Sequence, residues 1–115
     1  MMVEKAKLVG RVPLARLSEN APVRLSYPPF DVCVALVGGE PFAIEDACNH
    51  AGASLSEGRV FGERISCPQH GYVFSLRTGR LLVPLGLCGD QRRFSARIEG
   101  DDVVVEDTFE LDLYE

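Results

Sequence analysis

The sequence predicts an all-β fold, an antiparallel β-sandwich or barrel in a single domain spanning residues 1–115. Two observations carry that reading. Glycine and proline punctuate the chain densely, 11 and 7 of 115 residues. The intervals between them are short and rich in Val, Leu, Ile and Phe, the pattern of many brief strands separated by turns. A chain of this length holds one hydrophobic core and is too small for two domains.

Taken in order, residues 7–12 and 22–27 read as strands, with a turn at Ser18-Glu19-Asn20 and one helical turn or two within 13–18. Residues 31–37, Gly38-Gly39-Glu40-Pro41 and 42–45 read as a hairpin, because paired glycines supply the positive φ angles of a tight turn. Strands follow at 63–66 and 72–76, with a turn at Arg77-Thr78-Gly79-Arg80. Phe94, Ala96 and Ile98 alternate with polar residues, as a strand with one buried face does. Gly100-Asp101-Asp102 then turns the chain into Val103-Val104-Val105.

Bulk properties exclude several classes. The net charge of −5 and the absence of a concentrated basic face argue against nucleic-acid binding. No run of eighteen apolar residues occurs, and residues 1–7 lack the features of a secretory signal, so a cytoplasmic protein with no membrane association is expected. Eight acids and no base lie between Glu99 and Glu115. Such a run is most simply a solvated face, with an acidic docking surface for a basic redox partner as the alternative.

The chemistry concentrates in two short motifs. Cys48-Asn49-His50 is followed, after residues 51–66, by Cys67-Pro68-Gln69-His70-Gly71. Each supplies one thiol and one imidazole, a ligand set that suits an iron–sulfur cluster or zinc. In an extended segment Cys48 and His50 face the same way, and in a turn fixed by Pro68 residues Cys67 and His70 converge. Gly52 and Gly71 are expected to leave backbone N–H groups pointing at cluster sulfurs. Zinc modules usually group ligands by type, whereas each loop here gives one of each. That mixture suits two irons, one taking both thiols and the other both imidazoles. Of the remaining cysteines, Cys33 sits in an apolar run and reads as a core thiol. Cys88 reads as a loop residue, and a Cys33–Cys88 bridge stays open at this point.

The motif pair resembles the ligand signature of the Rieske [2Fe–2S] proteins. The likeness extends over about residues 5–107, through Pro41-Phe-Ala-Ile-Glu-Asp46, Glu57-Gly58, Thr78-Gly79, Pro84 and Glu99-Gly-Asp-Asp-Val-Val-Val105. It implies the Rieske fold, with a small cluster-binding subdomain at about 46–84. It also implies one [2Fe–2S] cluster held by Cys48 and Cys67 on the inner iron and His50 and His70 on the outer. The segment around Pro84 would form a third shielding loop.

The departures narrow the role. The respiratory branch of the family carries two further cysteines that bridge the loops, where this chain has Ala53 and Gln69. The hydroxyl donors that raise the potential there fall at Tyr72 and Phe74, and Phe74 has none. Fewer donors to the cluster predict a reduction potential at the low end of the Rieske range, on the order of −150 mV. Rieske oxygenases need further histidines for a mononuclear iron, but this chain has only 2. No dinucleotide fingerprint occurs, since Gly86-Leu-Cys-Gly89 opens no helix. The resemblance therefore implies an electron carrier rather than an enzyme, passing electrons from a flavin-dependent reductase to a terminal oxygenase through an exposed His50/His70 edge beside Ala51, Gly52 and Ala53. The alternatives are a small accessory subunit like those of nitrite reductases, and a zinc-stabilised module.

Overall fold

The computed structural model describes residues 7–28, 31–48, 53–69, 71–84 and 89–108. Among these described residues, ten strands form two antiparallel sheets. The larger orders its six strands β1 (Lys7–Pro13), β10 (Asp102–Asp107), β9 (Arg93–Glu99), β4 (Glu40–Glu45), β3 (Val32–Val37) and β2 (Val23–Leu25). The smaller runs β5 (Arg59–Phe61), β6 (Arg64–Ser66), β7 (Val73–Ser75) and β8 (Leu81–Val83).

The β3–β4 hairpin organises both. Its partners run from Val32↔Glu45 to Val37↔Glu40, leaving Gly38 and Gly39 as a two-residue loop. Both glycines have positive φ, 60° and 80°, which a hairpin turn of this length needs and a side chain resists. Their amides donate to the Glu19 carboxylate at 2.7 and 2.9 Å, tying the turn to the preceding loop. Along β3, Val32 and Val34 enter one core while Cys33 and Ala35 enter a second. Ala43 of β4 joins the first, and Phe42 and Ile44 the second. The uninterrupted apolar run 32–37 is the sequence mark of a strand covered on both faces. The first core is closed by Val12, Leu17, Phe94, Val103 and Val105, the second by the small sheet through Val60, Ile65, Phe74 and Leu81.

Most expected strands lie where the sequence places them, with differences at their ends. The 22–27 strand shortens to Val23–Leu25 because the Tyr27 amide donates to the Asp31 carboxylate at 3.2 Å instead of to a ladder. The helical turn within 13–18 is a single 3₁₀ turn, Leu14–Arg16, closed by Leu17 N–H on the Leu14 carbonyl at 3.0 Å. Strands β5 and β8 and the 3₁₀ turn Leu55–Glu57 were not expected. Three-residue strands show too few alternations to stand out, and the glycines at 58 and 62 read as turn signals on both sides of Arg59-Val60-Phe61.

A salt bridge between exposed side chains joins the two sheets. Arg77, in the β7–β8 turn, pairs its Nε and Nη2 with both carboxylate oxygens of Glu63 at 2.9 Å. Its Nη2 also reaches Glu40 of the large sheet at 3.0 Å, while the guanidinium lies over the Phe42 ring, 5.1 Å from its centroid. These hydrogen bonds hold the Glu63 carboxyl below its ordinary pKa.

Ile44 is fully buried between the sheets. Ile44→Ala is expected to destabilise the fold by about 2–5 kcal/mol through lost burial and the cavity left behind, read as a lower urea midpoint at unchanged m-value.

Candidate metal centre

Beyond β4 the chain runs Asp46-Ala47-Cys48 and returns at Ala53, so 46–48 and 53–55 form the stem of the first ligand loop. Cys48 N–H donates to the Ala53 carbonyl at 2.7 Å and Leu55 N–H to the Asp46 carbonyl at 2.8 Å, with Ala47 and Ser54 as a bridge pair between them. The buried Asp46 carboxylate closes the stem: it accepts Ser54 Oγ at 2.5 Å and the Ser56 amide at 2.8 Å. Burying a carboxylate is costly unless its oxygens are hydrogen-bonded, which these donors achieve.

The second loop starts where β6 ends. Cys67 N–H donates to the Tyr72 carbonyl at 2.7 Å, closing a hairpin into β7. Gly71, at φ 73°, donates its N–H back to the Cys67 carbonyl at 3.0 Å. The expectation that Gly71 keeps this donor for cluster sulfurs is thus corrected, since the loop spends it on its own closure. Gly58, which joins the 3₁₀ turn after the first loop to β5, lies so close to the end of β6 that a Cβ would fall on the Ser66 carbonyl, one residue before Cys67.

Cys48 and Cys67, each 2% exposed, belong to one apolar cluster with Leu55, Ile65 and Phe74. The structure therefore places the two thiols that the sequence singles out in one buried cluster. His50, His70, Asn49, Ala51 and Gly52 lie outside the described residues, as does Cys88. Cys33 of β3 shares that cluster, but among the described residues no three His, Cys, Asp or Glu side chains are grouped so as to hold a metal ion. Phe74 is fully buried in the cluster and brings no hydroxyl, while Tyr72 packs half-buried against its edge. Pro84 is half-buried at the end of β8, and residues 85–88 of the expected third loop are again outside the described set.

Two residues that sequence reading passed over support this site. Gln91 is buried and hydrogen-bonds the first loop, and Arg77 fixes the small sheet to the large one. A glutamine and an arginine among polar neighbours carry no spacing signal. Among its described residues the acidic run is largely paired: Glu99 and Glu106 meet Arg97, Asp102 meets Arg11, and buried Asp107 accepts from Arg92 at 2.6 Å and from the Tyr27 hydroxyl at 2.9 Å.

Two antiparallel loop stems, each bringing a buried cysteine to a shared apolar cluster, give this β-sandwich a pair of thiols of the kind a metal centre takes. The profile of the Rieske [2Fe–2S] domain matches residues 11–84, and the chain belongs to that family. It is 38% identical over 90 residues to the ferredoxin component of biphenyl 2,3-dioxygenase from Rhodococcus jostii (strain RHA1), covering 78% of this chain and 83% of that protein. Its fold is similar to a chain in the complex of reduced oxygenase and oxidized ferredoxin in carbazole 1,9a-dioxygenase, with a TM-score of 0.80 and 27% identity over 96% of this chain and 100% of that one. A likeness in fold alone links it to the putative NADH-dependent nitrite reductase small subunit from Mycobacterium tuberculosis, at 16% identity and TM-score 0.76, covering 91% of this chain and 96% of that one. The cofactor of the family is a Rieske [2Fe–2S] cluster, and two buried thiols on adjoining loops are suitable donors for its inner iron. No helix among the described residues is long and apolar enough to cross a membrane.

Cys33 is a separate case. It is a free thiol, wholly buried on β3, and burial pushes its pKa far above the ordinary value of about 8.5. It therefore stays protonated in the native state while the unfolded chain loses that proton at alkaline pH. Because the folded pKa is the raised one, the stabilisation is complete below about pH 8.5 and is lost as pH rises above it. The expected loss is about 1.4 kcal/mol per pH unit. Urea titrations from pH 8 to 10 should show this slope in the native sequence and a shallower one in Cys33→Ala; equal slopes would refute the assignment.

Proposed function

We propose that this chain is the Rieske ferredoxin of a multicomponent aromatic-ring dioxygenase system, an electron carrier without catalytic activity of its own. In this reading Cys48, His50, Cys67 and His70 hold its single [2Fe–2S] cluster, and the chain moves one electron at a time from a flavin-dependent reductase to a terminal oxygenase. The bound cluster supplies a one-electron redox couple at a surface a partner can approach. The observation that carries the proposal is the pair of cysteines, buried in one apolar cluster in the stems of two hydrogen-bonded loops.

The chain's own residues would do three things for that couple. The loop stems fix where the ligands stand, through Asp46, Ser54 and Ser56 in the first and the Cys67–Tyr72 closure in the second. Leu55, Ile65 and Phe74 keep water from the thiol side. Phe74 withholds the hydroxyl donor that would stabilise a reduced centre, which favours a low potential.

The sequence also limits the alternatives. Both histidines are used by the proposed ligand set, leaving none for the mononuclear iron of an oxygenase. The 38% identity to a dioxygenase ferredoxin component favours a carrier. The nitrite-reductase likeness is one of fold only, so an accessory-subunit role has no residue of this chain in its support.

Purified protein is expected to contain two irons and two acid-labile sulfides per chain, as a Rieske cluster requires, and to give a Rieske-type EPR signal after dithionite. Cys48→Ser and Cys67→Ser should each abolish that signal. Zinc in place of iron, or full signal retained in either variant, overturns the ligand assignment. Redox titration should place the midpoint on the order of −150 mV, and a positive value would sink the low-potential reading. Stopped-flow mixing with flavin-dependent ferredoxin reductases should reduce the protein, and a chain that none of them reduces is not this carrier.

A further inference from the structure

Residues 90–92 run as a strap between the two ligand-bearing halves of the molecule. On one side they hold the small sheet: the Asp90 carboxylate accepts the Leu81 amide at 2.8 Å, and Gln91 N–H donates to the Gly79 carbonyl at 2.7 Å. The contact at Gly79 is so close that a Cβ there would fall on the Gln91 carbonyl, and the φ of 80° likewise favours glycine. On the other side they hold the first loop. Glu45 N–H donates to the Arg92 carbonyl at 2.7 Å. The Gln91 side chain, 3% exposed, donates from Nε2 to two carbonyls, that of Glu45 at 2.9 Å and that of Ala47 at 2.7 Å.

The Ala47 carbonyl belongs to the peptide that begins Cys48. Its orientation sets where the Cys48 side chain leaves the backbone, and the amide that holds it hangs from a strap anchored to the sheet carrying Cys67. A primary amide has two N–H donors, matching the two carbonyls; no other uncharged side chain of this length offers both from one nitrogen. In a dry site each carbonyl left without a donor loses a hydrogen bond that water cannot replace.

We propose that Gln91 is a positioning residue for the cluster: its carboxamide clamps the Ala47–Cys48 peptide and fixes the placement of Cys48 relative to Cys67. The inference rests on Cys48 being a cluster ligand. Outer groups that orient ligands in this way typically govern cofactor retention and the electronic environment of the metal as strongly as packing does.

The test compares holoprotein of the native sequence with Gln91→Leu, Gln91→Asn and Val103→Ala. The last removes side-chain volume from the core on the far side of β3 and touches neither loop. Three readouts are taken: the g-values of the dithionite-reduced protein, the midpoint potential, and the rate of bleaching in EDTA. Gln91→Leu is expected to shift the g-values and potential and to bleach about tenfold faster or more. Gln91→Asn keeps the amide on a chain one carbon shorter, so it should fall between. Val103→Ala should lower the melting temperature while leaving spectrum and potential in place. Native-like spectrum and bleaching in both Gln91 variants overturn the proposal, as does bleaching that simply tracks melting temperature across all three variants. Should Gln91→Leu yield no folded protein, Gln91→Asn decides, a shifted spectrum supporting the clamp and an unchanged one overturning it. Failure of the underlying ligand assignment is seen separately, as missing iron and sulfide in the unmutated protein.

Discussion

The β3–β4 hairpin must be apolar on both faces, and the rest of the molecule is arranged to satisfy it. Val32 and Val34 point one way and Cys33 and Ala35 the other, so leaving either side uncovered would expose most of a strand. At roughly 1.5–3 kcal/mol for each large side chain buried, both faces need a cover. Strands β1, β9 and β10 cover one, and the small sheet covers the other. The second cover is where Cys48 and Cys67 lie, so the requirement that seals the scaffold also puts the two thiols against a dry wall. The site is in this sense an extension of the core rather than an addition to its surface.

Around that wall the ligand loops are largely self-supporting. Each opens and closes on main-chain hydrogen bonds across its own stem, and the first adds a carboxylate that satisfies a hydroxyl and an amide. Local closure of this kind uses up backbone donors, as Gly71 shows. Loop rigidity and hydrogen bonding to a bound group draw on the same limited supply of N–H groups. A chain that assigns more of them to closure leaves a reduced centre with fewer stabilising donors, in keeping with a low potential.

What could be read from the residues alone follows from the range of the signals. The two motifs were legible because Cys and His at fixed short spacings are rare and chemically specific. The Gly38-Gly39 hairpin was legible because its turn demands two positive φ angles. The strand at 93–99 was legible because seven residues suffice to show a period of two, but its expected buried face holds only in part: Phe94 is buried, Ala96 half-buried and Ile98 exposed, because the end of the strand runs past the core. Strands β5 and β8 were not, since three residues cannot. Contacts that span the chain were also hidden: Gln91 reaches Glu45 and Ala47, and Arg77 reaches Glu40, with nothing in local spacing to announce either. The ion pairs of the acidic stretch with Arg11, Arg92 and Arg97 were hidden for the same reason, because the sheet alone brings most of them alongside.

Arg77 gives dissolved ions two points of action on such a carrier. Its guanidinium, about half exposed, is shared between Glu63 of the small sheet and Glu40 of the large one. At physiological ionic strength the screening length is about 8 Å, enough to weaken exposed pairs without abolishing contacts this short. Raising salt therefore slackens the joint that keeps the small sheet aligned with the large one. Removing the positive charge at residue 77 opens the same joint at constant ionic strength.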